Sequence, residues 1–96
     1  MSDTLQLGGN IELTGFSDVD SSSMIVLKKI IGNYARRFSD KASFEKLSIA
    51  MKNGSNVFEL SSTLVVNGKN LVSSNSADNI FFAVDGCLKS MEKEFV

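Results

Sequence analysis

The sequence predicts an α+β domain, a two-layer β-α-β-β-β-α sandwich with a four-stranded sheet and both helices on one face. Three observations predict it. Two stretches, one early and one closing the chain, carry apolar residues at helical spacing on one side only. Four runs alternate apolar and polar residues at the strand period. Turn sequences containing Asn-Gly separate the later runs. The 96 residues suit one domain spanning 1–96.

Leu5, Leu7, Gly9, Ile11 and Leu13 alternate with polar residues. Gly8-Gly9 interrupts the run and reads as a bulge, so the firm first strand is placed at 10–16 and residues 1–9 read as loosely ordered. A helix follows, capped by Asp20 or one of the serines Ser21 to Ser23; with Asp20 as the cap, Val19 and Met24 take the two hydrophobic-staple positions. It should run to Phe38 or Ser39. Its core stripe is Met24, Leu27, Ile31, Tyr34 and Phe38, flanked by Ile30 and Ala35; Lys29, Asn33, Arg36 and Asp40 lie opposite. Gly32 sits mid-helix, where it costs about 1 kcal/mol against Ala, and its angle is off the core stripe.

Leu47, Ile49 and Met51 form the inner face of a second strand. Asn53-Gly54-Ser55-Asn56 turns the chain. In the third strand Phe58, Leu60, Leu64 and Val66 face one way; Glu59, Ser61, Thr63 and Val65 face the other. Asn67-Gly68 is a two-residue hairpin turn into a short edge strand, Leu71-Val72-Ser73-Ser74. Ser76-Ala77-Asp78 opens the last helix, whose stripe is Phe81, Val84, Leu88, Met91 and Phe95, with Asp85 and Lys89 as an exposed pair. The first two strands should be parallel through a right-handed crossover and the hairpins antiparallel. The free sheet face should be rich in Ser, Thr and Lys, without aromatic residues.

Composition narrows the function. The chain has no His, no Trp, no Pro and one Cys, and its net charge is −1. A nucleophile would need a carboxylate or lysine as its base. Cys87 falls beside a core stripe and reads as an inert buried thiol. Asp18 and Asp20 lack the ordered ligands and central Gly of a calcium loop and read as helix capping. Gly8-Gly9 lacks the Gly-Lys-Ser/Thr ending of a phosphate loop. No catalytic residue, metal ligand or cofactor is expected, and the chain reads as non-enzymatic. No apolar run is long enough to span a bilayer and no signal peptide is visible, so the expected location is cytoplasmic, with no membrane partner.

The basic residues group. Lys28, Lys29, Arg36 and Arg37 lie on the first helix, and Lys89 and Lys93 on the last. Side by side, the two helices would present six cations, diluted by Asp40, Asp85, Glu92 and Glu94. Two readings stand: an ordinary solvated surface, favoured by those acids, and a modest phosphate-contacting face.

The chain resembles the N-terminal domain of the ribosome hibernation-promoting factors, also called ribosome-associated inhibitors, whose fold is related to the double-stranded-RNA-binding domain. Ala83-Val84-Asp85 followed by Met91-Glu92 resembles the family's last helix, and Asp78 occupies the place of an acidic residue before it. Asn67-Gly68-Lys69 with Leu71-Val72 resembles its late hairpin, and Ile11-Glu12-Leu13-Thr14-Gly15 with Tyr34 its opening. The sequence departs where the family's helix continues into basic residues; here it reads Glu94-Phe95-Val96. It also contains no counterpart of the dimerisation domain of the long forms. Gly8 to Leu13 and Asn33 to Arg36 resemble small archaeal proteins of no assigned function. The resemblance implies ribosome or structured RNA as partner, with Lys29, Arg36, Lys89 and Lys93 against ribosomal RNA. The competing expectation is a protein-interaction module or homodimer that uses the polar sheet face, the exposed Val65 or the short edge strand.

Overall fold

The computed structural model describes residues 4–7, 10–41, 43–53 and 56–95. Its elements are β1 (Thr4–Leu7), β2 (Ile11–Thr14), α1 (Ser21–Lys41), β3 (Lys46–Asn53), β4 (Phe58–Val66), β5 (Lys69–Ala77) and α2 (Ile80–Phe95). The strands form one sheet in the order β1-β2-β3-β4-β5. The β2–β3 pair is parallel and every other pair antiparallel. The sheet therefore has five strands where the sequence predicted four.

The extra strand comes from the first run, which is a hairpin. Leu7 pairs with Ile11 and Leu5 with Leu13. Directly opposed residues in an antiparallel pair share a face. The odd-numbered residues thus keep one parity through the reversal, and the two arms read as a single alternating strand. The bulge expected at Gly8-Gly9 lies outside the described residues.

Of the candidate caps, Asp20 is the one used: its carboxylate accepts from the Ser23 N–H at 3.1 Å, and its carbonyl takes the first helical bond, from Met24 N–H. The Ser23 hydrogen bonds hold the Asp20 carboxyl below its usual 3.8. Val19 and Met24 are both half-buried against the core. Before the helix, Gly15 has φ +84°, and a side chain there would strike the Met51 carbonyl, so only glycine fits. Asn67 and Gly68, with φ 54° and 75°, form the two-residue turn between β4 and β5.

One apolar layer lies between sheet and helices. Leu13, Leu47, Ile49, Met51, Leu60, Leu64 and Val66 face it from the strands, Leu27, Ile31, Tyr34, Ala35 and Phe38 from α1, and Ala83, Val84, Cys87, Leu88 and Met91 from α2. The Phe95 side chain lies outside the described residues. β5 runs to Ala77, longer than expected, and α2 starts later. Ser76 and Ala77 stay in the ladder opposite Glu59 and Phe58. Asn79 is the actual cap, its side-chain oxygen accepting from the N–H groups of Phe81 and Phe82 at 2.9 and 3.2 Å. No described helix is long and apolar enough to cross a membrane.

Candidate functional site

The two helices meet along a polar seam. Tyr34 is buried on α1, where its ring packs on Phe38. Its hydroxyl donates to Asp85 of α2 at 2.9 Å. Burial, and then this carboxylate, push the Tyr34 phenol up to about 12. One turn on, the Arg37 guanidinium lies 5.0 Å over the Tyr34 ring and bonds Glu92 of α2 at 2.7 Å. The pairings advance along both helices together, so α1 and α2 run parallel and share one outer surface. Asp85, expected as a solvent-facing partner of Lys89, is half-buried and accepts from Tyr34 instead.

All six basic residues expected at an RNA-binding surface are exposed on this layer: Lys28, Lys29, Arg36, Arg37, Lys89 and Lys93. They are not equivalent. Arg37 is engaged by Glu92 and the Tyr34 ring. Lys28 and Arg36 lie two turns apart on one ridge of α1, with Gly32 between them and Lys29 on the adjoining row. Lys89 and Lys93 stand one turn apart on the outer side of α2. Two basic rows thus flank a seam in which Asp85 and Glu92 are matched to Tyr34 and Arg37, while Asp40 on α1 and Glu94 on α2 stay exposed.

Sequence reasoning missed Phe82, which is 71% exposed on the outer side of α2. The adjacent pair Phe81-Phe82 was the available signal, because neighbours on a helix lie about 100° apart and one apolar stripe cannot take both fully. Ile25, 59% exposed, adds a second apolar projection, from α1.

The opposite face of the sheet is quieter. It carries Ser48, Ser61, Thr63, Ser74 and Ser76 with Lys46 and Lys52, and Lys46 is paired with Glu12 at 3.2 Å. Val65, expected to be exposed there, is half-buried; Val72 on edge strand β5 is 60% exposed instead.

Little here supports covalent chemistry. Cys87 is fully buried, its thiol 3.4 Å from the Ser62 hydroxyl, and the Ser73 hydroxyl donates to the Cys87 carbonyl at 2.8 Å. This cluster ties α2 to β4 and β5 and has no base among its partners. Among the described residues no group of His, Cys, Asp and Glu has the makings of a metal site.

No protein-family model matches the chain, and no curated protein matches it. Solved structures do. The ribosomal subunit interface protein from Coxiella burnetii superposes with a TM-score of 0.68 at 10% identity, over 90% of each chain. The N-terminal domain of Protein Y from Thermus thermophilus gives 0.68 at 8% identity, over 90% of this chain and 91% of that one. The resemblance read from the sequence is therefore met in the fold. The likeness to archaeal proteins finds no support in these comparisons.

Proposed function

We propose that this chain is a non-enzymatic module that associates with the ribosome or another structured RNA through the outer face of its two parallel helices. The observation that carries the reading is the placement of Lys28, Lys29, Arg36, Lys89 and Lys93 on one exposed surface, with the intervening acids Asp85 and Glu92 engaged in the seam. The fold shared with a ribosomal subunit interface protein supports it. A near-neutral chain can bind phosphate locally when its cations outnumber the free acids on one face; here five cations stand against exposed Asp40 and Glu94, with Asp85 and Glu92 occupied in the seam. Phe82 adds a ring on which an unpaired base can stack.

Co-sedimentation with purified ribosomal subunits across a salt series tests this. Reversal of Lys29 and Arg36 together to Glu should leave the fold intact and abolish binding. Any residual salt slope should fall by roughly 1.4–1.8, the loss of two phosphate contacts. Binding that survives the double reversal with an unchanged slope would place the interface elsewhere. A second reading, a protein-interaction module or homodimer using the β5 edge, is favoured by the exposed Val72. In that case the reversal leaves association unchanged and Val72→Lys removes it.

A further inference from the structure

Gly32 lies in the middle of α1, where it costs helix stability and where nothing in the fold asks for it. The other described glycines each have a reason. Gly15 and Gly68 have positive φ, and a side chain on Gly86 would collide with the Asn75 amide. At Gly32 the φ is ordinary, the position is exposed, and an added Cβ would meet no atom within 4 Å. No contact among the described residues accounts for a glycine here, and the bare position leaves room for a partner.

The surroundings of Gly32 say what kind of partner fits. Lys28 is one turn before it and Arg36 one turn after it on the same ridge, and Lys29 lies diagonally beside it. All three are exposed. Gly32 therefore makes a notch in a ridge of side chains, bare to the helix backbone and rimmed by three cations, with the exposed Asp40 one further turn along the ridge beyond Arg36. A polyanionic chain lying in that notch would approach all three cations at once. Attraction between charges falls with distance, so depth of seating matters.

We infer that Gly32 is a seating point for a phosphodiester backbone of structured RNA, held between Lys28, Lys29 and Arg36. The inference rests on the reading under Proposed function and adds a positioning residue with no charge of its own. A Cβ here lifts the phosphate chain off the helix and lengthens every cation–phosphate distance together. Stability and binding must then move in opposite directions.

The test is a series at this position in the full chain: Gly32→Ala and Gly32→Leu, with Ser90→Ala on the far side of α2 as a control for helix propensity. Both Gly32 variants should melt higher than the wild type, by about 3–8 °C, because Ala and Leu are both strong helix formers. Affinity for purified ribosomal subunits should fall roughly fivefold for Gly32→Ala and more than about tenfold for Gly32→Leu, following side-chain volume rather than stability. Ser90→Ala should leave affinity unchanged. Variants that melt higher and bind as tightly as the wild type overturn the inference, while loss of binding on the Lys29/Arg36 reversal would still uphold the reading beneath it. A Gly32→Leu defect seen with whole subunits and absent with deproteinised ribosomal RNA assigns the notch to a protein and overturns the phosphate assignment. Absence of binding by the unaltered protein removes both.

Discussion

The two helices share an amphipathic pattern and pack on the same sheet, yet they sit at different heights. α2 comes close to the sheet and has repeated backbone approaches to β4 and β5. The residues that allow this are small: Ala83 and Cys87 are fully buried, and Gly86 leaves room for the Asn75 side chain. Polar groups hold the contact, Ser73 donating to the Cys87 carbonyl at 2.8 Å and Asn75 to the Ala83 carbonyl at 3.2 Å. α1 has almost no close backbone approach to any strand. It stands on Leu27, Ile31, Tyr34 and Phe38, and its polar bonds go sideways to α2. Side-chain volume sets the stand-off, since packed elements separate by what lies between them. One helix is held by shape and hydrogen bonds, the other by bulk.

The bulk of α1 should therefore fail by truncation. Phe38→Ala removes a fully buried ring from beneath a helix whose backbone is too far from the sheet to close the gap. The expected loss is about 3–5 kcal/mol in urea denaturation. A loss under about 1 kcal/mol would mean that α1 settles onto the sheet and that the contrast is false.

α2 should fail by enlargement, and the sign should depend on one partner. Gly86→Ala favours the helix by about 1 kcal/mol but displaces the Asn75 amide from the carbonyls of Phe82 and Ala83. We expect a net loss of about 1 kcal/mol in the wild type. In an Asn75→Ala background the same change should stabilise by roughly 0.5–1 kcal/mol. Equal effects in both backgrounds would show that Asn75 does not govern the spacing.

The seam between the helices should respond to alkali. The Tyr34 phenol is pushed from 10.0 up to about 12 in the folded protein, by burial and by Asp85. The folded state thus holds this proton to higher pH than the unfolded chain. The associated stability is fully present below pH 10 and drains away as pH rises towards 12. Tyr34→Phe should cost about 0.5–1.5 kcal/mol at neutral pH and flatten that alkaline decline. Parallel stability profiles for the two proteins between pH 9 and 12 would show that the Tyr34–Asp85 bond does not form.

Much of this was legible in the residues. Alternation in Leu47, Ile49 and Met51 and in Leu60 and Leu64 assigned the inner faces correctly, and Asp20 announced the start of α1. What was hidden had physical causes. The β1–β2 reversal preserves residue parity, so period counting cannot see it. The polar run Asn75-Ser76 has low strand propensity, so the expected strand stopped at Ser74 and Ser76 was given to the helix; the strand runs on to Ala77 because β4 pairs with it and α2 accepts a bond from Asn75. Helical spacing alone put the six cations at the surface. It could not show that Arg37 finds Glu92, 55 residues away, because that pairing depends on how two helices are set side by side. It did place Phe81 on the core side, where it packs, but left the exposure of Phe82 unread.

The connectivity gives α1 one more part to play. Every antiparallel pair in the sheet is joined by only a few residues of sequence, so its ends are brought together at small entropic cost. The β2–β3 pair alone spans a long excursion, from Thr14 to Lys46, and α1 is most of that excursion. Once helical, the excursion is a short rod instead of a flexible coil, which brings β2 back beside β3 with far fewer configurations to lose. The helix that presents the cations is therefore also the strut that closes the sheet. A glycine at its midpoint weakens the strut, so Gly32→Ala should ease closure of the sheet as well as raise the melting temperature.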